Sequence, residues 1–415
     1  MVVGMCGTRR AILVRFGGVV PVDVTAALPR EVHQMNPHAQ SAVTEALHQA
    51  IATLGETGLQ VAAIHQGEVV VDTFAGIADP ATGRPVDANT LFTVWSMSKG
   101  VTATVVHRLV ERGVLAYDEP LARWWPAFGA HGKGNITVRH ALSHRAGLKD
   151  FKALPSEAMP SLQATGRNLE ESVPDWAPGA SMGYHGLTFG TLLGRVVEEA
   201  TGHAFADVVR AEVTGPLGLH DLHCGVPNDP SVTDRIATLH VAGDPSPSLG
   251  HAGITAEERV SLQGAATGFN HPAMRAGCIP AAGMIANARD FVRHYGAMRE
   301  AGLAGVRLLT PETIAGATVP YFGADGATVE WIGRMGLGYI IGGSPHLQCG
   351  VVIPSPWPDS FGHTGLGGSL SMYSPSRDLA VALTKNALMP GRLECHTWDL
   401  VMRALCNALG IPYEA

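Results

Sequence analysis

The chain has 415 residues, of which 46% are hydrophobic and only 16% are charged, and its formal net charge is -7. This composition is typical of a large folded protein and argues against disorder and against a coiled coil. Because no Lys- or Arg-rich tract occurs, the basic surface needed to bind a phosphate backbone is missing, and we expect no nucleic-acid partner.

The N-terminal residues briefly resemble a signal peptide. Arg9-Arg10 is followed by four apolar residues before Arg15 interrupts the run, and no convincing cleavage site follows. We therefore expect residues 1–29 to be an N-terminal extension of a cytoplasmic protein, with secretion as the alternative. No segment approaches the ~20 apolar residues of a membrane span. Six cysteines without a CxxC pair predict reduced, mostly buried thiols.

The first predicted elements lie before residue 115. A helix begins at Asn36-Pro37, where a capping residue precedes a first-turn proline and apolar residues follow at helical spacing. The runs 59–65 and 68–75 are rich in Val and Ile and flank Gln66-Gly67, which predicts a β-hairpin. A second helix begins near Ser96 and ends at Gly113.

Strand signals fade between about residues 120 and 280. Helical stretches at 137–143 and 188–200 are joined there by loops rich in proline and glycine. The segment 225–280 shows little periodicity, which predicts a long loop that shapes a binding pocket.

After residue 280 the strand signals return. A helix follows Asn287, strand-like runs occupy 369–373 and 379–384, and a final helix contains Trp398 and Leu409. Strands near both ends, with helices between them, predict one sheet assembled from the two ends of the chain. We expect an α/β sheet domain of residues 30–118 and 281–415, with a mainly helical insertion at 119–280.

The stretch Trp95-Ser96-Met97-Ser98-Lys99 contains the main candidate nucleophile. A serine hydroxyl needs a base within hydrogen-bond reach and donors for the oxyanion that forms after attack. At the start of a helix, Ser96 has free backbone N–H groups beside it, and Lys99 lies one turn on. Lys99 acts as a base only when unprotonated, which desolvation favours. The alternative is a helix cap followed by an exposed lysine.

Two more segments support this site. Tyr184 lies in the glycine-rich loop 178–186 ahead of a helix, where its phenol can relay protons. The run 362–368 contains His363-Thr364-Gly365 and leads into a strand, and its glycines permit close approach of the backbone to a ligand. A backbone N–H of this edge strand is a candidate second oxyanion donor.

Together these segments resemble the serine β-lactamase and penicillin-binding-protein superfamily, in particular the class C-like branch that includes family VIII carboxylesterases and D-amino-acid peptidases. The resemblance covers about residues 35 to 410. Ser96 and Lys99 are similar to the Ser-x-x-Lys motif, Tyr184 to the tyrosine of Tyr-x-Asn, and His363-Thr364-Gly365 to Lys-Thr-Gly. The stretches 137–148 and 281–284 are similar to scaffold signatures of this branch.

The resemblance implies a β-lactamase-like fold, an antiparallel sheet flanked by helices with a mainly helical inserted domain. It also implies an acyl-enzyme on Ser96, proton transfer shared by Lys99 and Tyr184, and an oxyanion hole made by the N–H groups of Ser96 and Leu366. No metal or cofactor is implied, and the partner is a small-molecule ester or acyl substrate. The candidate substrate-contacting residues are His363, Thr364, Gly365, His185 and Trp95, with loop support as the alternative for His185 and a core position for Trp95.

Two departures from the family pattern bear on the substrate. Gly186 stands where the motif has asparagine, and His363, mostly neutral at an unperturbed pKa of about 6.5, stands where it has lysine. Both changes favour an uncharged ester, so we expect a carboxylesterase. The alternatives are a β-lactamase, a D-amino-acid peptidase or amidase, an acyltransferase, and a catalytically silent binding protein.

Two other motifs are set aside. Gly179 to Gly183 fits the Gly-x-Ser-x-Gly pattern of a nucleophile elbow around Ser181, but the prolines before it oppose the strand that an elbow requires. His140 and His144 are spaced as in a zinc protease, yet an alanine stands where the catalytic glutamate belongs, which favours a structural pair.

Overall fold

The computed structural model describes residues 35–246, 253–322, 333–344, 350–391 and 393–413. The N-terminal extension predicted at residues 1–29 lies outside these ranges. The cellular location inferred from those residues therefore stays a prediction. Within them, no helix combines the length and the apolar character needed to cross a bilayer.

Helices make up most of the secondary structure of the described residues. They are α1 (Pro37–Leu54), α2 (Ser98–Glu111), α3 (Val138–Leu142), α4 (Leu162–Glu171), α5 (Thr188–Thr201), α6 (Phe205–Val209), α7 (Gly215–Leu217), α8 (Pro230–Thr233), α9 (Ala256–Asn270), α10 (Pro272–Ala276), α11 (Ala288–Gly296), α12 (Pro311–Ala317) and α13 (Glu394–Leu409). A 3₁₀ turn at Trp95–Met97 precedes α2, and a π-helical turn at Arg210–Thr214 joins α6 to α7.

The strands are mostly short. They are β1 (Gly58–His65), β2 (Glu68–Asp79), β3 (Arg84–Pro85), β4 (Phe92–Thr93), β5 (Leu222–Cys224), β6 (His240–Val241), β7 (Met284–Ala286), β8 (Arg334–Met335), β9 (Ile340–Ile341), β10 (Phe361–Thr364), β11 (Leu370–Ser374), β12 (Leu379–Lys385) and β13 (Ala387–Leu388).

The main sheet has the order β3-β2-β1-β12-β11-β10-β9-β8, and every neighbouring pair is antiparallel. β1 from the N-terminal part pairs with β12 from the C-terminal part over Leu59 to His65. The predicted sheet assembled from the two ends of the chain is therefore confirmed, as are the β1–β2 hairpin and the flanking helices. The boundaries at 118/119 and 280/281 stay a prediction.

The two faces of this sheet are both buried. Along β1 and β12, alternate side chains point to opposite faces, as the strand period requires. Leu59, Val61 and Ala63 pack in one cluster with α1 and α13, whereas Ala62 and Ile64 pack in another with α2 and α11. The central strands therefore lie between two layers of helices.

A smaller antiparallel sheet, β4-β7-β5, connects the start of α2 to residues after 280. Thr93 pairs with Ile285, and the N–H of Val94 donates to the carbonyl of Met284 at 3.0 Å. This pairing fixes the chain immediately before Ser96 against the segment 281–284.

The expectation of a long loop over 225–280 is wrong, because this segment contains α8, α9 and α10. In α9, only Leu262 and Ala266 are buried, so the helix carries almost no apolar stripe for periodicity to detect. A capping box between Thr255 and Glu258 marks its start, and this pattern is visible in the sequence.

The cysteine prediction is also wrong at one position. Cys224, Cys278 and Cys406 are free thiols as expected, but Cys395 is disulfide-bonded. Disulfide geometry depends on which Cα atoms the fold brings together, and sequence spacing does not report it.

Candidate active site

The 3₁₀ turn Trp95–Met97 carries Ser96 immediately before α2. Trp95 has a left-handed φ of 52°, an unfavourable conformation for a bulky residue. Ser98 braces the turn, since its hydroxyl donates to the Trp95 carbonyl at 2.6 Å and accepts from the Met284 N–H at 3.1 Å. Ser96 is partly exposed, and the hydrogen bonds of Ser98 hold its backbone in place.

Lys99 is completely buried directly behind Ser96. Its Nζ donates to Ser96 Oγ at 2.9 Å, to the carbonyl of Gly186 at 2.7 Å and to the carbonyl of Ala281 at 3.0 Å. None of these acceptors is a carboxylate, and burial lowers the pKa of Lys99 well below its usual value. Burial therefore favours the neutral amine. In that form, its two N–H groups donate to the carbonyls of Gly186 and Ala281, and its lone pair is available to the Ser96 proton.

Tyr184 lies on the other side of the nucleophile. Its side chain lies next to Ser96, and its ring centroid is 5.0 Å from Lys99 Nζ. Burial raises the pKa of Tyr184 above its usual value, so the phenol keeps its proton at neutral pH. The structure thereby brings together the three predicted residues Ser96, Lys99 and Tyr184.

The expectation of an edge strand here is wrong, because β10 lies between β11 and β9 in the main sheet. β10 lies close against the nucleophile turn. A Cβ atom on Gly365 would lie 2.6 Å from the Val94 carbonyl oxygen and 3.1 Å from Trp95 Cβ, so this position requires glycine. Thr364 is buried, and Leu366 has 39% of its side chain exposed. The backbone of Gly365 is therefore packed against Val94 and Trp95, the two residues before Ser96.

His363 is completely buried at the end of β10. Its Nδ1 donates to the carbonyl of Thr364 at 2.7 Å, and its ring lies 6.4 Å from the ring of Tyr184. Burial is the main cause that lowers the pKa of His363 to about 3, with the nearby Lys99 as a smaller cause. This position therefore carries no positive charge at neutral pH.

The geometry at His185 favours loop support over substrate contact. The side chain is completely buried, its Nε2 accepts from the Leu148 N–H at 3.0 Å, and its Nδ1 donates to the Gly183 carbonyl at 2.6 Å. Both ring nitrogens are thus used to hold the loop that carries Tyr184.

His140 and His144 do not act as a pair. His140 caps α3, where its Nδ1 accepts from the N–H of Thr137 at 3.2 Å. His144 Nδ1 accepts from the N–H of His185 at 3.0 Å, and its ring packs 4.9 Å from that of Tyr184. Across the described ranges, no group of three or more His, Cys, Asp or Glu side chains is arranged to hold a metal ion.

Trp95 belongs to an apolar cluster that the sequence did not predict. Its ring lies 4.3 Å from that of Phe269 on α9, and Leu239, Leu262, Ala266 and Leu388 complete the cluster. The segment 225–280 therefore reaches the nucleophile turn through a helix. Because Trp95 belongs to this cluster and precedes Ser96 in the chain, apolar side chains lie next to the nucleophile turn.

The elbow motif around Ser181 has no strand before it, because the chain from Ser172 to Leu187 is irregular. Among the described residues, no base accepts a hydrogen bond from the Ser181 hydroxyl, in contrast to Ser96 with Lys99. Sequence reasoning missed two contributors to the site, the carbonyls of Gly186 and Ala281. In the sequence, Gly186 stands out only because it replaces the asparagine of the family motif. Every residue has a backbone carbonyl, so a sequence pattern does not show which carbonyls act as acceptors.

Known proteins are similar to this chain in sequence and in fold. The family model described as Beta-lactamase matches residues 43–405. The chain is 33% identical to the esterase/beta-lactamase LipL of Mycobacterium tuberculosis, over 78% of this chain and 75% of LipL. It is 33% identical to the esterase EstB of Burkholderia gladioli, over 66% of this chain and 72% of EstB. A solved family VIII carboxylesterase aligns with a TM-score of 0.74 and 26% identity, over 89% of this chain and 97% of that chain.

Proposed function

This chain belongs to the beta-lactamase family, and we propose that it is a serine hydrolase that cleaves carboxylic esters through an acyl-enzyme on Ser96. The observation that carries the proposal is the 2.9 Å contact between Ser96 Oγ and the buried Lys99 amine. Lys99 has only uncharged acceptors around it, so the pair has the nucleophile and the base that acyl transfer needs.

The reaction follows from this geometry. Ser96 Oγ attacks the ester carbonyl while its proton passes to the neutral Lys99 amine. The N–H groups of Ser96 and Leu366 donate to the resulting oxyanion, because neither has a hydrogen-bond acceptor among the described residues. Collapse of the tetrahedral intermediate breaks the C–O bond, and the leaving alkoxide takes a proton through Lys99 and the Tyr184 hydroxyl. Water then hydrolyses the acyl-enzyme by the same proton transfers in reverse order.

An uncharged substrate suits the surroundings of Ser96. His363 is neutral, and Gly186 provides no amide side chain to bind a polar substituent. The apolar cluster around Trp95 and Phe269 adds a hydrophobic surface beside the nucleophile. The relatives LipL and EstB are both named esterases, which supports the same substrate class.

β-Lactam hydrolysis is the second candidate, because the name of LipL includes both activities. The two reactions share the acyl-enzyme and differ in the acyl donor. Parallel assays with p-nitrophenyl butyrate and nitrocefin separate them. We expect kcat/KM to be higher for the ester.

Intact-mass spectrometry with a fluorophosphonate tests the nucleophile. We expect one adduct on the wild-type protein, one on Ser181→Ala and none on Ser96→Ala. Failure of the wild-type protein to react, or an equal adduct on Ser96→Ala, refutes the assignment of Ser96. Loss of the adduct in Ser181→Ala with retention in Ser96→Ala would transfer the role to the elbow motif.

A further inference from the structure

The turn that follows β10 has one backbone donor left open. The N–H of Gly365 donates to the Ser369 carbonyl at 2.7 Å, and that of Gly368 donates to the Gly365 carbonyl at 3.0 Å. The N–H of Gly367 donates to Glu394 Oε1 at 2.7 Å. Within the described ranges, the N–H of Leu366 has no acceptor, so it is free to bind an oxyanion.

This turn depends on its surroundings for its shape. Gly367 and Gly368 have φ values of 84° and 102°, which only glycine adopts readily, and glycine is also the most flexible residue. Glu394 supplies a side-chain hydrogen bond to the turn, and in the described structure no other side chain donates to or accepts from residues 365–368.

Glu394 is the first residue of α13, and its backbone lies against the turn. A Cβ on Gly368 would lie 2.6 Å from the Glu394 carbonyl oxygen, so the turn packs directly on the start of the helix. The Glu394 side chain therefore needs to span only a short distance to reach the Gly367 N–H.

We propose that Glu394 is a positioning residue that holds the Leu366 N–H in the oxyanion hole through its hydrogen bond with the Gly367 N–H. The proposal rests on the proposed acyl-enzyme function of Ser96. Glu394 takes no part in bond making. It restricts the peptide units on either side of Gly367, and the Leu366 donor therefore keeps its direction toward Ser96.

The electrostatics of Glu394 are consistent with this role. Burial raises the pKa of Glu394 to about 7, and the Gly367 hydrogen bond and the positive charge of Lys385 act in the opposite direction. A partly buried carboxylate is costly to keep, and the Gly367 N–H offsets part of that cost. The carboxylate and the turn thus stabilise each other.

Kinetics of Glu394→Ala and Glu394→Gln with p-nitrophenyl butyrate test the proposal. Glutamine keeps an acceptor oxygen at the same place, whereas alanine removes it. Complete loss of an oxyanion donor lowers kcat by about 10²- to 10³-fold, and we expect a displaced donor to cost about 10- to 100-fold. In Glu394→Ala, kcat should fall by that factor with KM nearly unchanged. Glu394→Gln should retain kcat within about threefold.

A phenylboronic acid provides a second readout, because its adduct with Ser96 places a negatively charged oxygen in the oxyanion hole. Its inhibition constant should rise in Glu394→Ala by about the same factor by which kcat falls. The matched control is Glu312→Ala, an exposed acidic residue in the first turn of α12 that lies outside the site. It should leave kcat and the inhibition constant unchanged.

The outcomes separate the two proposals. A wild-type protein that forms no fluorophosphonate adduct refutes the proposed function itself. If the wild type reacts but kcat of folded Glu394→Ala stays within twofold of it, the positioning role is wrong. Equal losses of kcat in the alanine and glutamine variants also overturn the positioning role. Glutamine keeps the acceptor oxygen, so the loss would then come from the missing negative charge. A fall in melting temperature with kcat unchanged indicates a structural role alone.

Discussion

The ion pair between Lys385 and Glu56 offers a stability test that does not depend on the function. The exposed fractions of the two side chains are 1% and 0%, and the Thr397 hydroxyl also donates to Glu56 Oε1. Lys385 ends β12, Glu56 precedes β1 and Thr397 lies on α13, so the pair connects the sheet to the last helix. Removing one partner leaves the other charge buried without its opposite charge.

The expected cost follows from that burial. Truncating one partner of a fully buried pair destabilises a protein by about 3–5 kcal/mol, whereas replacing both by apolar residues of similar volume is close to neutral. We therefore expect Lys385→Met and Glu56→Leu each to lower the free energy of unfolding by about 3–5 kcal/mol. The double variant should be more stable than either single variant.

Urea denaturation followed by circular dichroism measures these differences, and a double-mutant cycle isolates the coupling between the two side chains. The control is Arg210→Met, which breaks an exposed pair with Asp207 and should cost less than about 1 kcal/mol. Single variants that lose less than about 1 kcal/mol, or effects that add within about 0.5 kcal/mol, would refute the reasoning.

Three further predictions concern the site. Lys99→Met should lower kcat/KM for p-nitrophenyl butyrate by about 10³-fold or more. In the wild type, kcat/KM should fall at acid pH as Lys99 gains a proton, and the midpoint of this fall should lie well below the usual lysine pKa. A kcat/KM that stays constant down to the pH of unfolding would contradict this. Tyr184→Phe should lower kcat by about 10²- to 10⁴-fold with little change in KM, and an unchanged kcat would exclude proton relay. Gly186→Asn should raise nitrocefin kcat/KM by about fivefold relative to the ester. A Cβ atom at position 186 meets no close contact, since its nearest neighbour would be Tyr184 Cε1 at 4.0 Å. An unchanged ratio would show that this position does not read the acyl side chain.

The sheet could be predicted because its strands contain local signals. β1 and β12 contain continuous apolar runs at 61–64 and 379–383, since both of their faces are buried, and Gln66-Gly67 marks the turn of the hairpin. By contrast, α9 exposes most of its surface, and its two buried residues do not produce a helical stripe. Hydrophobic periodicity detects the burial of a helix, so it misses a helix that is hardly buried.

The candidate site also has parts that the sequence predicts and parts that it does not. Ser96 and Lys99 are three residues apart on one turn, and a short motif can therefore contain both. The acceptors that hold Lys99 are backbone carbonyls 87 and 182 residues further along the chain, and any residue type supplies a carbonyl. Glu394 acts on the turn after β10 from a different element, so only the folded structure reveals its contact with Gly367.

The burial that lowers the pKa of Lys99 also determines the charge of its neighbours. It keeps Tyr184 protonated and His363, His144 and His185 neutral, so the side chains packed around Ser96 carry little charge before the reaction. In such a region, a backbone N–H interacts more strongly with a developing oxyanion than it would in water. A neutral ester enters without losing a strong charge–solvent interaction, whereas an anionic substrate would have to be desolvated among these uncharged side chains. The same burial therefore supports the proposal of an uncharged ester substrate.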